Sequence, residues 1–363
     1  MDDEEARALR QRCTRFVHGH GRDSAAAALA DIPADTEPDR YGAGGVVAAL
    51  ERRVAELLDK PAAVFFPSGT MAQQVTLRVH AESRGRRTVV FHPTCHLKLH
   101  EDGALERVQG LIGRAVGDAQ RLLTLDDLKA VAEPPAALLI ELPQREIGGQ
   151  QPPFEELREQ LAWARERGAA THLDGARIWE SAAGYQRTPA EVAEPFDTAY
   201  VSFYKGIGAL PGCCVAGPGD VLAQVREWRK RMGGTLFALW PNAASAMSCL
   251  DRRLPLMPAY VQTARAVADA LHAVDGVRVV PDPPQTHMMH LLLDVSSEDF
   301  VVNARRLAEQ DGVWTWPKAM PTLDPRVQKV ELAIGDAALE WDVKEVAEMI
   351  GRLCISNDAK STP

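Results

Sequence analysis

Lys205 stands in Ser202-Phe203-Tyr204-Lys205-Gly206-Ile207-Gly208, after an apolar run and before a glycine-rich turn. An amine flanked by apolar residues and glycines can have a lowered pKa and act as a nucleophile, although most lysines are solvated surface cations. Asp174 leaves a second apolar run in His172-Leu173-Asp174-Gly175-Ala176-Arg177. A carboxylate at a strand end, held by neighbouring dipoles, can stay ionised and pair with a protonated ring nitrogen, and Arg177 can reach the same pocket. Asp-Gly is equally the composition of a turn. Pro67-Ser68-Gly69-Thr70 lies between an apolar run and a helical pattern. Free N–H groups and the helix dipole favour an anion there, so the turn could cradle a phosphate, with a hydroxyl from Thr70. Its Ser and Thr are also ordinary helix caps. His92-Pro93-Thr94-Cys95-His96, with His100 one turn on, offers imidazoles at fourfold spacing. Pro93 and the lack of a ligating carboxylate pattern disfavour a metal. One imidazole facing a flat ring is the better functional reading, and a histidine bonded within the protein the plain one.

Taken together the four segments describe one chemistry. A phosphate turn, a ring-stacking histidine, a strand-end carboxylate and a later lysine are what pyridoxal phosphate requires. The lysine forms the imine, the carboxylate keeps the pyridine nitrogen protonated, and the ring becomes an electron sink.

Groups so far apart must be brought together by a scaffold, and the apolar pattern supplies one. Val47, Leu50, Val54, Leu57 and Leu58 recur with helical spacing. Ala62–Phe66, Thr88–Phe91 and Ala136–Leu142 read as buried strands, as do ATHLD and TAYVSF. Between them lie helices through MAQQVTLRV and PFEELREQLAWARERG, and one opened by the capping box Thr188-Pro189-Ala190-Glu191. Doubly buried strands alternating with helices predict an α/β domain with a mainly parallel sheet, whose ligands bind beyond the strands' carboxyl ends. After about residue 255 the pattern becomes α+β: a helix over Pro258–Val274, the strands VRVV, HMMHLLLDV and VQKVELAI, and a last helix ending near Arg352. The expected division is an N-terminal helix and arm over 1–40, a large cofactor-binding domain over 41–255, a small domain over 256–355 and a disordered tail over 356–363.

The 363 residues are 46% hydrophobic and 25% charged, which excludes a disordered or fibrous chain. A net charge of −9 disfavours nucleic acid and anionic membrane as partners. No apolar run approaches the ~20 residues of a spanning helix. The start, MDDEEARALRQR, lacks a signal peptide's apolar core, so a cytoplasmic location is expected. Cys13, Cys95, Cys213, Cys214, Cys249 and Cys354 form no CxxC pair and read as reduced small hydrophobes, with no zinc spacing.

Five stretches resemble the threonine aldolase / β-eliminating lyase family of fold-type I pyridoxal-phosphate enzymes. DRYGAGGVVAALERRVAELLDKPAAVFFPSGTMAQQ is similar to that family's run from a Tyr-Gly turn to its phosphate loop. CHLKLHEDGAL resembles its stacking-histidine segment, HLDGARIW its Asp/Arg motif and YKGIGALPG its Schiff-base loop, and RKRMGG resembles a further segment. The resemblance implies a transferase-like large domain with a mainly parallel seven-stranded sheet and a smaller C-terminal α+β domain. It implies Lys205 as the Schiff-base lysine, Asp174 at the pyridine nitrogen, His96 on the ring, and Ser68, Gly69, Thr70 and Ser202 around the phosphate. Arg177 would lie near the ring hydroxyl and the substrate carboxylate. A homodimer or homotetramer acting on a small amino acid is implied as well.

The departures concern the substrate. His18-Gly19-His20-Gly21 stands where the family usually has Arg-Ser-Asp-Thr. Leu142-Pro143-Gln144 stands where it commonly has Asn-Thr-His, whose histidine meets the substrate hydroxyl. An arginine after the Gly-Gly segment is replaced by Phe237, while Lys230 is retained. The C-terminal arginine that typically binds the carboxylate in that family has no clear counterpart, and Arg326 and Lys329 are nearby candidates for its role. The leading expectation is Cα–Cβ cleavage of a β-hydroxy-α-amino acid, with a phosphate-bound water, His100 or His20 as base. β-Elimination, racemisation or transamination with the same cofactor is the alternative, and a non-catalytic binding role a third.

Overall fold

A computed structural model describes residues 1–21 and 24–357, and the chain falls into two compact units. One is Ala25–Pro255; the other joins Met1–Ser24 to the chain from Leu256 onward. The segment 1–40, expected as one arm, is therefore divided between them. Of the expected tail, 358–363 lie outside the described residues.

The Ala25–Pro255 unit is built on seven strands: β1 (Ala62–Phe66), β2 (Thr88–Phe91), β3 (Ile112–Ala115), β4 (Ala137–Glu141), β5 (Ala170–Gly175), β6 (Thr198–Ser202) and β7 (Cys213–Gly217). They lie in the order β1-β7-β6-β5-β4-β2-β3. Pairing is parallel from β6 across to β3, while β7 opposes both of its neighbours. Since β1 and β6 both oppose β7, six strands share one direction. β5, β6 and β7 are buried along their whole length, which is why most strands read as unbroken apolar runs. β3, a partly exposed edge strand spelled IGRA, lacks that pattern, and β7, spelled CCVAG, is buried and apolar but short of the β-branched and aromatic residues that mark a strand.

Helices cover this sheet. α1 (Gly45–Leu57) buries Val47, Leu50 and Val54. α2 (Gly69–Arg84) is capped by Ser68, whose hydroxyl accepts the Met71 N–H, and ends at Gly85 in the left-handed region. α3 (Phe154–Glu166), α4 (Ile178–Tyr185), α5 (Gly219–Arg231) and α6 (Trp240–Arg253) follow. The capping box at Thr188–Glu191 forms, opening the short helix Pro189–Ala193.

The other unit has α7 (Met257–Leu271), α8 (Ser297–Gln310) and α9 (Val343–Leu353), with strands β8 (Val277–Val280), β9 (Met288–Asp294), β10 (Met320–Pro321) and β11 (Val327–Ala333). The strands form an antiparallel sheet in the order β10-β11-β9-β8. β11 alternates buried and open positions, as expected of a sheet with one covered face. The N-terminal helix Asp3–Arg12 leads into Arg15–Phe16, which pairs in parallel with Val313–Trp314. Among the described residues no helix is long and apolar enough to cross a membrane.

Candidate active site

The carboxyl ends of the parallel strands deliver the reactive groups to one place. β1 leads into Gly69 and Thr70 at the start of α2, β2 into His96, β5 into Asp174 and Arg177, and β6 into Lys205. These six residues line a single cavity of about 250 Å³ within the Ala25–Pro255 unit. Ser68 and Ser202, expected at the phosphate, do not line it: Ser68 caps α2, and Ser202 is fully buried.

Asp174 is 1% exposed. Its carboxylate accepts Gln73 Nε2 at 2.7 Å and the Ala176 N–H at 3.1 Å, so both oxygens are oriented. Burial pushes this carboxyl above its ordinary pKa, against the pull of the Gln73 hydrogen bond and the nearby His96. A buried carboxylate in that condition favours a cation beside it. Glu141, in register with Asp174 on the next strand, is pushed up to about 7 by burial and then by the charge of Asp174.

His96 opens the short helix His96–Leu99, and its N–H donates to Glu141 Oε2 at 3.1 Å. Its Nδ1 lies 3.3 Å from Glu101 Oε1, while Gln74 Nε2 donates to the other oxygen of Glu101 at 2.8 Å. Glu101 raises the imidazole's pKa, which favours the protonated ring. Gly69 is required at its position, because a Cβ there would run into the Tyr200 hydroxyl. The loop carrying Lys205 is braced from α6: Arg253 Nη1 donates to Ile207 O at 2.7 Å, and the Leu210 N–H donates to Ser245 Oγ at 3.0 Å. Helix N-terminus, oriented buried carboxylate, held imidazole and amine together fit a phosphorylated, cationic heterocycle.

The sequence model of the family described as "Beta-eliminating lyase" matches residues 21–293. The chain belongs to the β-eliminating lyase family. It is 24% identical to low-specificity L-threonine aldolase 1 of Arabidopsis thaliana, over 77% of this chain and 81% of that protein. It is 32% identical to the low specificity L-threonine aldolase of Escherichia coli K12, over 59% of this chain and 65% of that one. The solved structure of a candidate L-allo-threonine aldolase from Listeria monocytogenes EGD-E superposes with a TM-score of 0.90 at 36% identity, covering 97% and 98% of the two chains. The fold is thus that of the fold-type I enzymes.

For a β-eliminating lyase, several cavity residues had not been singled out from sequence: Gln73, Glu101, Glu141, Arg145 and Glu146. Two had a readable signal. Gln73 is one helical turn after Gly69, and Glu141 is a charge closing an otherwise apolar strand. His18 and His20, by contrast, are engaged within the other unit. His18 stacks on Trp316 at 5.0 Å and bonds Thr315 O at 3.0 Å, and His20 Nδ1 lies 3.5 Å from Asp336. Arg326 is paired with Asp324 at 2.9 Å, and Phe237 is exposed.

Proposed function

We propose that this protein is a pyridoxal-phosphate-dependent lyase that cleaves the Cα–Cβ bond of a β-hydroxy-α-amino acid, giving an aldehyde and glycine or a related amino acid. The observation that carries this reading is the buried, doubly oriented Asp174 sharing one cavity with Lys205 and His96. The aldolase names of its relatives support the substrate class.

When bound, the cofactor supplies a cationic ring that draws electrons from the substrate's α-carbon. The chain's own residues then have separable tasks. The Gly69–Thr70 end of α2 holds the phosphate through backbone N–H groups and a hydroxyl. Asp174, fixed by Gln73 and the Ala176 N–H, keeps a proton on the heterocyclic nitrogen. His96 offers a flat face to the ring, and Arg177 a cation to the substrate carboxylate. Lys205 would hold the cofactor through its amine.

The test is to load the purified protein with pyridoxal phosphate and supply threonine, allo-threonine and β-phenylserine. Aldehyde plus glycine is expected. Ammonia with a keto acid would instead show elimination and overturn the proposal. We further propose a cytoplasmic homodimer or homotetramer. The edge-to-face pair Tyr41 and Phe237, 60% and 63% exposed, supports a subunit contact, and sedimentation would measure the assembly.

A further inference from the structure

Breaking the Cα–Cβ bond of a β-hydroxy amino acid requires a group that takes the hydroxyl proton, and most acids and bases of the cavity are committed elsewhere. Asp174 is engaged by Gln73 and Ala176. Glu101 faces His96, which it biases toward the protonated form. Glu141 accepts the backbone N–H groups of His96 and Arg145, at 3.1 and 3.2 Å. Gln144, on the loop after β4, donates its amide to Thr94 O and Oγ1, both at 3.2 Å, and an amide takes no proton at neutral pH.

His100 remains. It follows the short helix that opens with His96, lines the same cavity, and holds its ring centroid 5.2 Å from that of His96. Its Nε2 lies 2.9 Å from Glu146 Oε1, which also accepts Arg145 Nη1 at 3.1 Å. An ionised carboxylate only accepts, so Nε2 carries the proton and Nδ1 is the basic nitrogen of the neutral ring. A base oriented by a carboxylate is the arrangement that proton abstraction from a hydroxyl needs.

Resting on the aldol reading above, we propose that His100 is the catalytic base that receives the substrate's hydroxyl proton at Nδ1. Glu146, steadied by Arg145, is the positioning residue that sets its tautomer. The O–H bond breaks toward His100, and its electron pair becomes the π bond of the departing aldehyde. The Cα–Cβ pair stays with the amino-acid fragment, whose α-carbon takes a proton from water in place of the lost carbon and gives glycine. His100, with a side chain 41% exposed, returns its proton to water.

The experiment uses the loaded enzyme, as wild type, His100→Ala and Glu146→Gln. Aldehyde release is compared with exchange of the glycine α-proton into heavy water, followed by NMR, a step that involves no hydroxyl. His100→Ala is expected to lower cleavage kcat by at least ~10²-fold, with partial rescue by added imidazole, and to leave glycine exchange within about threefold. Glu146→Gln is expected to lower cleavage kcat less than His100→Ala does, again with glycine exchange within about threefold. Cleavage by His100→Ala within about threefold of wild type, or parallel loss of glycine exchange, would overturn the base assignment. Wild-type protein that exchanges glycine protons but releases no aldehyde would overturn the aldol reading, and the base with it.

Discussion

A carboxylate pushed toward its neutral form by burial is costly to keep in a protein interior; at Asp174 the Gln73 amide and the Ala176 N–H offset part of that cost, and the proposed cationic ring would offset more. Asp174→Asn is expected to retain the hydrogen-bonding shape but not the charge. The cofactor should stay bound, with its visible absorbance retained, while kcat falls by roughly 10²–10³-fold, as for loss of other preorganised electrostatic groups. Unchanged turnover would remove the assignment. Lys205→Ala is expected to abolish both the visible band of the lysine–cofactor imine and turnover; a retained band would place the imine elsewhere. His96 gives a check that needs no substrate. Glu101 raises its pKa above the ordinary 6.5, so Glu101→Gln should shift the His96 imidazole titration, followed by NMR, to lower pH. An unmoved titration would show that the 3.3 Å contact does not hold in solution.

α2 connects the site to the core behind it. Its first turn meets the proposed phosphate position, Gln73 reaches Asp174 on β5, and His80, two turns on, bonds Thr198 Oγ1 of β6 at 2.8 Å. His172 of β5 bonds the same hydroxyl, also at 2.8 Å. Both imidazoles are buried, and desolvation lowers them to about 4 for His80 and about 3 for His172. The unfolded chain binds these protons near 6.5 and the native one does not. Their contribution is therefore complete above that pH and is lost as pH falls. For His80 alone the loss between pH 6.5 and 4 is about 3 kcal/mol. The thermal midpoint should fall steeply over that interval, and His80→Gln should flatten the slope. A midpoint independent of pH there would show that the rings are hydrated. Removing the shared hydroxyl with Thr198→Val should cost ~1–3 kcal/mol at pH 7, because two buried nitrogens lose a partner. None of this coupling is visible in sequence, where His80 is one polar residue in a helix and Thr198 the first residue of an apolar run. What was visible were the elements themselves. β1 and β2 have the expected bounds because their apolar runs end abruptly.

For the molecule as a whole, the legible part was the set of groups that any such site needs at strand ends. Lys205, Asp174, His96, Arg177, Gly69 and Thr70 line one cavity because parallel strands send their carboxyl ends to the same edge. Gln73 and Glu141 each carried a local signal, but their pairing with Asp174 did not. The register that sets Glu141 beside Asp174 on the neighbouring strand, the reach of Gln73 to the same carboxylate, and the pairing of Arg15–Phe16 with Val313–Trp314 all depend on long-range approach and were illegible. Because all of those cavity residues belong to the Ala25–Pro255 unit, cofactor binding has a defined footprint. A ligand that binds only the native state stabilises it by about 2.7 kcal/mol at a hundredfold excess over Kd. Hydrogen exchange with and without pyridoxal phosphate should therefore show slowed exchange in peptides spanning 69–74, 96–101 and 174–177 and around Lys205. Lys205→Ala should show a smaller effect, since phosphate and ring contacts remain while the covalent anchor is gone. Slowing confined to other segments would mean that these strand ends are not where the cofactor sits, whatever the sequence resemblance implies.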